Sequence, residues 1–267
     1  MPDVRANGVR LYHEVHGAGD PILCIHGTSS SAMMWREAAI ESLAALGQVV
    51  IYDRRGCTRS ERPEPYETSV PQHADDAAAL LETLAAHPAV IIGRSYGGAV
   101  ALAVALRYPH LVRALALLEP GDITLDGDAS HEDDELRDAL EAAASRDVLT
   151  VAETLLRQVL GDAAWESFPE ELRGMFRDNS PAVLAEVRGA GLSVSTVELS
   201  QIGVPVLVVA GAESPAQFRR LSERLADGLP GARGTIVGGG HLIDPGGPEV
   251  LSFVRSVLAE GGSIGSR

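Results

Sequence analysis

The sequence predicts an α/β protein built on a doubly wound, mostly parallel sheet. Three observations predict it. Short apolar runs alternate with helical patterns along most of the chain. The later runs, such as Ala89 to Ile92 and Val204 to Ala210, are unbroken rather than alternating, as strands covered on both faces require. The run at Ala89 stops at a small-residue turn, Gly93-Arg94-Ser95-Tyr96-Gly97, and an Ala-rich helix over Gly98 to Arg107 follows. Strand, sharp turn and buried helix is the setting in which a G-x-S-x-G string carries chemistry.

Taken in order, Val4 to Val15 alternates loosely around Asn7-Gly8, a strong hairpin signal. Ile22 to Ile25 reads as a strand ending at His26-Gly27, and Val49 to Tyr52 as one ending at Asp53. Ala74 to Ala86 reads as a helix with acidic residues in its first turn. The Ala89 strand is fifth, Ala114 to Leu118 sixth, Val204 to Ala210 seventh and Arg233 to Val237 eighth, with a closing helix over Val250 to Leu258. Between the sixth and seventh strands lie only helical patterns: His131 to Arg146, Val148 to Leu160, Pro169 to Asp178 and Pro181 to Val187. A structureless loop of that length would be out of place in a compact domain, so an inserted helical cap is expected. The expected division is a core of residues 1–121 and 201–267, with residues 122–200 as the cap.

A net charge of -15 argues against nucleic acid or an anionic membrane as partner and leaves small neutral or cationic molecules favoured. The 4% aromatic content argues against a base-stacking platform. No apolar run approaches the ~20 residues needed to span a bilayer, and the N-terminus shows no signal-like segment. Two cysteines are too few for a disulfide framework, so a cytoplasmic location is expected. Cys24 lies in an apolar run and is expected buried; Cys57, in a Gly/Arg loop, is expected exposed.

Ser95 is the candidate nucleophile, at the tip of the turn with a helix N-terminus behind it. A serine hydroxyl needs a base to take its proton. His241, after Gly238-Gly239-Gly240, follows the last strand and can reach the same C-terminal sheet edge, where ligands gather in open α/β sheets. His73, His87, His110 and His131 sit at helix ends or in polar loops and are expected at the surface. A tetrahedral intermediate needs two aimed N–H groups, and those of Tyr96 and Thr28 are the candidates. No His or Cys pair has metal-ligand spacing, so no metal is expected, and the Ser95 turn lacks the Lys-Ser/Thr of a phosphate loop. Asp53, Arg54 and Arg55 read as structural.

His26-Gly27, Tyr52-Asp53-Arg54-Arg55-Gly56, Gly93-x-Ser95-x-Gly97 and Gly240-His241 stand in the order and spacing of the α/β-hydrolase superfamily, which the chain resembles over nearly its whole length except the cap. The resemblance implies the α/β-hydrolase fold with an eight-stranded sheet, a cap after the sixth strand, no cofactor, and a catalytic triad in the order nucleophile, acid, histidine. Many members carry an aspartate just after the seventh strand. Here Ser214 stands at that position, in Gly211-Ala212-Glu213-Ser214-Pro215. Some branches, certain haloalkane dehalogenases and the zearalenone lactonases among them, place the acid after the sixth strand, and Glu119 aligns with that place. Glu119 is therefore the expected acid and Glu213 the alternative.

These readings imply a serine hydrolase of esters or lactones. Carbon–carbon bond hydrolysis or a perhydrolase reaction with the same triad, and a small-molecule receptor with little turnover, are the alternatives. Trp165, Met33, Met34 and Trp35 are candidate pocket lining, and assembly into a homo-oligomer stays open.

Overall fold

The computed structural model describes residues 3–126 and 131–261. The chain opens with the hairpin β1 (Asp3–Ala6) and β2 (Val9–His16). Asn7 (φ 46°) and Gly8 (φ 75°) turn it, the left-handed pair that a two-residue hairpin demands. Next come β3 (Pro21–Ile25), α1 (Glu37–Ala44), β4 (Gln48–Tyr52), α2 (Val70–Thr83), β5 (Ala89–Arg94), α3 (Tyr96–Arg107) and β6 (Val112–Leu118). A short strand, β7 (Ile123–Leu125), leads into α4 (His131–Arg146), α5 (Val151–Leu160), α6 (Asp162–Ser167), α7 (Glu170–Asp178) and α8 (Ser180–Arg188). The chain returns through β8 (Leu192–Val194) and α9 (Thr196–Leu199) to β9 (Val206–Gly211), α10 (Ala216–Gly228), β10 (Arg233–Val237) and α11 (Pro248–Gly261).

Eight strands form one sheet in the order β1-β2-β4-β3-β5-β6-β9-β10. β2 runs antiparallel to β1 and β4, and every other pairing is parallel. Successive side chains of a strand point to opposite faces. Leu23, Ile25, Ile91, Leu115 and Leu117 therefore pack with apolar residues of α2, α3 and α10. Ile22, Cys24, Ile92, Ala116 and Leu118 pack with those of α1 and α11 on the other face. Both faces are apolar, which is why these strands do not alternate in sequence.

Helix α2 begins four residues before the expected Ala74. Ser69 caps it, its side chain accepting the Gln72 N–H at 3.2 Å, and a proline in the first turn tightens the start. The stretch expected as one helix from Val148 begins as a single 3-10 turn and becomes α5 at Val151. Cys57 and His73, both expected at the surface, are 0% and 1% exposed. The loop after β4 turns inward beneath the helical insertion, and burial pushes the Cys57 thiol up to about 12.

Helices α4 to α8 enclose a hydrophobic cluster of their own, including Leu140, Leu155, Trp165, Phe176 and Val183. The segment leaves and rejoins the core through β7 and β8, which pair side by side. It is docked on the loops after β3 and β4. Buried Asn179 donates to the Ser30 carbonyl at 3.1 Å and accepts from the Thr58 N–H at 2.8 Å. Arg62 donates to the Asp178 carbonyl at 3.2 Å.

Candidate active site

β5 ends at Arg94, and Ser95 follows at φ 53°, ψ -124°, a backbone conformation that a side-chain-bearing residue adopts only where its surroundings enforce it. A Cβ on Gly97 would collide with the Ile25 carbonyl, and one on Gly93 with the Gly97 carbonyl. Neither position can carry a side chain, so the turn packs directly on the end of β3. Ser95 N–H donates to Leu118 O at 3.0 Å, and Ser95 O accepts from the N–H groups of Gly98 at 2.7 Å and Gly121 at 3.2 Å. The turn is thereby fixed to the end of β6, and the Ser95 side chain is left half-buried.

The loop after β3 runs alongside. A Cβ on Gly27 would stand 3.0 Å from Ser95 Cβ and 3.6 Å from Ser95 Oγ, so Thr28, the next residue, borders the same space. Tyr96 is the first residue of α3, where an N–H has no intrahelical carbonyl to bond.

Glu119 follows β6 at φ 45° and is completely buried. Its Oε2 accepts from His241 Nδ1 at 2.7 Å and its Oε1 from the Gly211 N–H at 2.5 Å. Burial pushes the Glu119 carboxyl up, but the hydrogen bonds from His241 and Gly211 and the nearby Ser214 hydroxyl outweigh it and hold it below the usual carboxylate range. With Nδ1 given to the carboxylate, the neutral His241 ring presents Nε2 as an acceptor on its other side. The Phe218 ring, from the first turn of α10, packs on the His241 ring at 4.1 Å between centroids and 36° between planes. A Cβ on Gly121 would lie 3.2 Å from Phe218 Cε1 and 3.8 Å from Ser95 Oγ, so serine, histidine and phenylalanine share one corner of the sheet edge.

The structure thus brings Glu119 to His241 and leaves Glu213 exposed, its backbone N–H donating to Gly239 O at 2.9 Å. Ser214 is buried beside Glu119. The residues after β9 support the carboxylate from β6 instead of supplying one. The sequence does not single out Phe218 or Ser214 for this; the signal for Phe218 is its place in the stripe Phe218, Leu221, Leu225 along α10.

Of the candidate lining residues, Trp165 is 1% exposed inside the insertion's cluster, against Phe176. Trp35 is 4% exposed in the cluster beneath α1, with the Arg94 guanidinium 4.3 Å from its ring centroid. Both rings are packed away from solvent by their surroundings. Met34 is half-buried against the insertion, and Met33 is exposed. Asp53 anchors the loops after β3 and β4, accepting from the Ala32 N–H at 2.7 Å and from Arg59 Nε at 2.7 Å. Arg55 is paired with Asp76 at 2.6 Å. Among the described residues no three His, Cys, Asp or Glu side chains converge to hold a metal ion, and no helix is long and apolar enough to cross a membrane.

Residues 20–244 match the family described as the alpha/beta hydrolase fold. A putative carbamate hydrolase, RutD, from Azorhizobium caulinodans is 29% identical over 263 residues, covering 94% of this chain and 96% of that protein. The rhodomycin D methylesterase DauP of a Streptomyces species is 29% identical over 265 residues, covering 84% of this chain and 86% of its own. Among solved structures, Est816, described as an N-acyl homoserine lactone degrading enzyme, superposes with a TM-score of 0.73 at 26% identity, covering 97% of this chain and 99% of its own. With the fold, the Ser95 turn and the matched length in agreement, the chain belongs to the alpha/beta hydrolase fold family and is a hydrolase of that family.

Proposed function

We propose that this hydrolase cleaves carboxylic esters or lactones through an acyl-enzyme on Ser95. Ser95 Oγ attacks the carbonyl carbon while His241 Nε2 takes its proton. The Thr28 and Tyr96 N–H groups hold the oxyanion of the tetrahedral intermediate. His241 returns the proton to the departing alkoxide. It then takes one from the water that attacks the acyl-enzyme and passes it to Ser95 Oγ as the acid departs, which regenerates the free serine. Glu119 keeps His241 in the tautomer that leaves Nε2 free and stabilises the imidazolium formed in each step. The helical insertion serves as the cap that bounds the substrate.

The observation that carries this reading is the bond of 2.7 Å from His241 Nδ1 to a fully buried Glu119, beside a serine held in a strained turn. The printed names of two similar proteins, a methylesterase and a lactone-degrading enzyme, support an ester-type bond. The carbamate hydrolase similarity makes carbamates the comparison class.

The test is a panel of p-nitrophenyl esters of increasing chain length, acyl lactones and aryl carbamates, run on the wild type and on Ser95→Ala. The expected result is turnover of at least one ester or lactone, loss of about 10⁵ or more in kcat in Ser95→Ala, and covalent labelling of the wild type at Ser95 by a fluorophosphonate. Full activity in Ser95→Ala would sink the mechanism; turnover confined to carbamates would reassign the substrate.

A further inference from the structure

Arg54 follows β4 and is completely buried. Its Nε donates to His26 O and its Nη2 to Gly27 O, each at 3.0 Å. Its Nη1 lies 3.1 Å from His73 Nε2, and its guanidinium carbon lies 4.6 Å from the centroid of the Tyr96 ring. Among the described residues its one ion pair is with Glu186 on α8, at 2.7 Å, and the Glu186 side chain is 2% exposed. One buried cation therefore holds the backbone of the loop that carries the Thr28 donor and packs on the Tyr96 ring at the start of α3, and its counter-charge comes from the insertion.

The peptide plane makes this contact consequential. Gly27 C=O and Thr28 N–H belong to the same planar unit and point in opposite directions. Gly27 O accepts from Arg54 Nη2 at 3.0 Å and from His26 Nδ1 at 2.9 Å. His26 is itself held, its Nε2 accepting the Arg54 backbone N–H at 2.9 Å. Fixing that carbonyl fixes the direction of the Thr28 N–H. A guanidinium removed from water and left without a counter-charge is strongly destabilised, and the surroundings relax to admit water or let the cation swing outward. Either response rotates the Gly27–Thr28 peptide and loosens the packing on Tyr96.

We propose that Glu186 is a positioning residue for the oxyanion hole: by neutralising Arg54 from the insertion, it holds the Thr28 N–H in its catalytic direction, while the Tyr96 N–H is held separately by the Ser95 carbonyl, which accepts from Gly98 and Gly121. The inference rests on the ester-hydrolase reading and on Thr28 as one of its oxyanion donors. It makes seating of the insertion on the core a condition for transition-state stabilisation, separate from any contact the insertion makes with substrate.

The test uses the full chain with p-nitrophenyl acetate, and with a trifluoromethyl ketone and the matching methyl ketone as inhibitors. The trifluoromethyl ketone forms a tetrahedral adduct and needs the oxyanion donors; the methyl ketone reports ground-state binding. Glu186→Gln, which keeps the volume and removes the charge, is expected to lower kcat about tenfold to a hundredfold with KM within about threefold, since loss of one oxyanion donor outright costs about 10²–10³. Affinity for the trifluoromethyl ketone falls in parallel, and that for the methyl ketone holds. A second variant, Arg54→Met with Glu186→Leu, replaces the ion pair by apolar groups and is expected to recover the melting temperature but not kcat. A lower melting temperature with wild-type kcat and an unchanged inhibitor ratio in Glu186→Gln, or restored kcat in the double variant, overturns the proposal. Ser95→Ala and fluorophosphonate labelling run alongside. If Ser95 is labelled and essential while Glu186→Gln behaves as wild type, only this inference fails; if Ser95 is dispensable, the ester-hydrolase reading fails first.

Discussion

Replacing Glu119 with Gln leaves the shape of the site and removes its charge. In the native site one carboxylate oxygen takes the His241 Nδ1 proton at 2.7 Å and the other takes the Gly211 N–H at 2.5 Å. The amide oxygen of glutamine can keep the Gly211 bond, which turns its NH₂ toward Nδ1. Nδ1 must then accept, the ring proton moves to Nε2, and the base that Ser95 needs is lost. The charge term has a similar size. Carboxylate and imidazolium centres about 4 Å apart, at an effective dielectric of about 20, attract by about 4 kcal/mol, which is about a thousandfold in rate. The expected fall in kcat is about 10³–10⁴, from the charge term alone up to the roughly 10⁴ seen when a triad acid becomes an amide. KM changes little, because the carboxylate faces His241 and not the substrate. Steady-state kinetics on the best ester of the panel measure this, with Glu213→Gln as control. A Glu119→Gln enzyme within tenfold of wild type, or a Glu213→Gln enzyme that loses activity, refutes the assignment of Glu119.

Two further outcomes follow from the buried polar groups. Ser214 lies beside Glu119, so Glu119→Gln combined with Ser214→Asp is expected to recover at least about tenfold of the kcat lost in Glu119→Gln alone, within the range a triad acid controls; a double variant no faster than the single one rules out that position. His26 and His73 are both held well below the ordinary histidine range, by burial first and the Arg54 charge second. In the unfolded chain they take up protons near pH 6.5 and in the native state they do not, so stability is full above about pH 6.5 and falls below it toward the lowered native values. The slope reaches about 1.4 kcal/mol per pH unit for each histidine, about 3 for both. Urea unfolding between pH 8 and 5 measures it, and His73→Gln is expected to remove about half. A flat profile across that range contradicts the burial of a neutral pair.

The sheet is legible in the sequence because two covered faces force unbroken apolar runs, and the sharpest of them ends at a turn whose two glycines, Gly93 and Gly97, leave no room for a side chain. The sheet-edge position of Ser95, Glu119 and His241 is legible for the same reason: each follows a strand. Burial of His73 is not legible. The ring is buried by Arg54, Tyr96 and Glu186, which other segments bring to it, and its place near the start of a helix, followed by two aspartates, resembles that of a solvated histidine. Helix α10 carries arginines and acidic residues on most of its surface, and the few apolar positions that seat it give a thin signal; Phe218, which meets His241, is one of them. The contribution of the end of β9 is hidden because it is made largely by a backbone N–H, at Gly211, which no residue type announces.

The pairing of β6 with β9 joins strands that are neighbours in space and distant in sequence. Closing a flexible loop of roughly 90 residues costs about 4 kcal/mol of chain entropy before any strand bond forms. The insertion has its own hydrophobic cluster, and β7 pairs with β8 at its root, so it can consolidate locally and shrink the open segments to about a dozen residues or fewer. The same local pairing that roots the insertion thus shortens the closure that brings β9, and with it β10 and the His241 loop, beside β6.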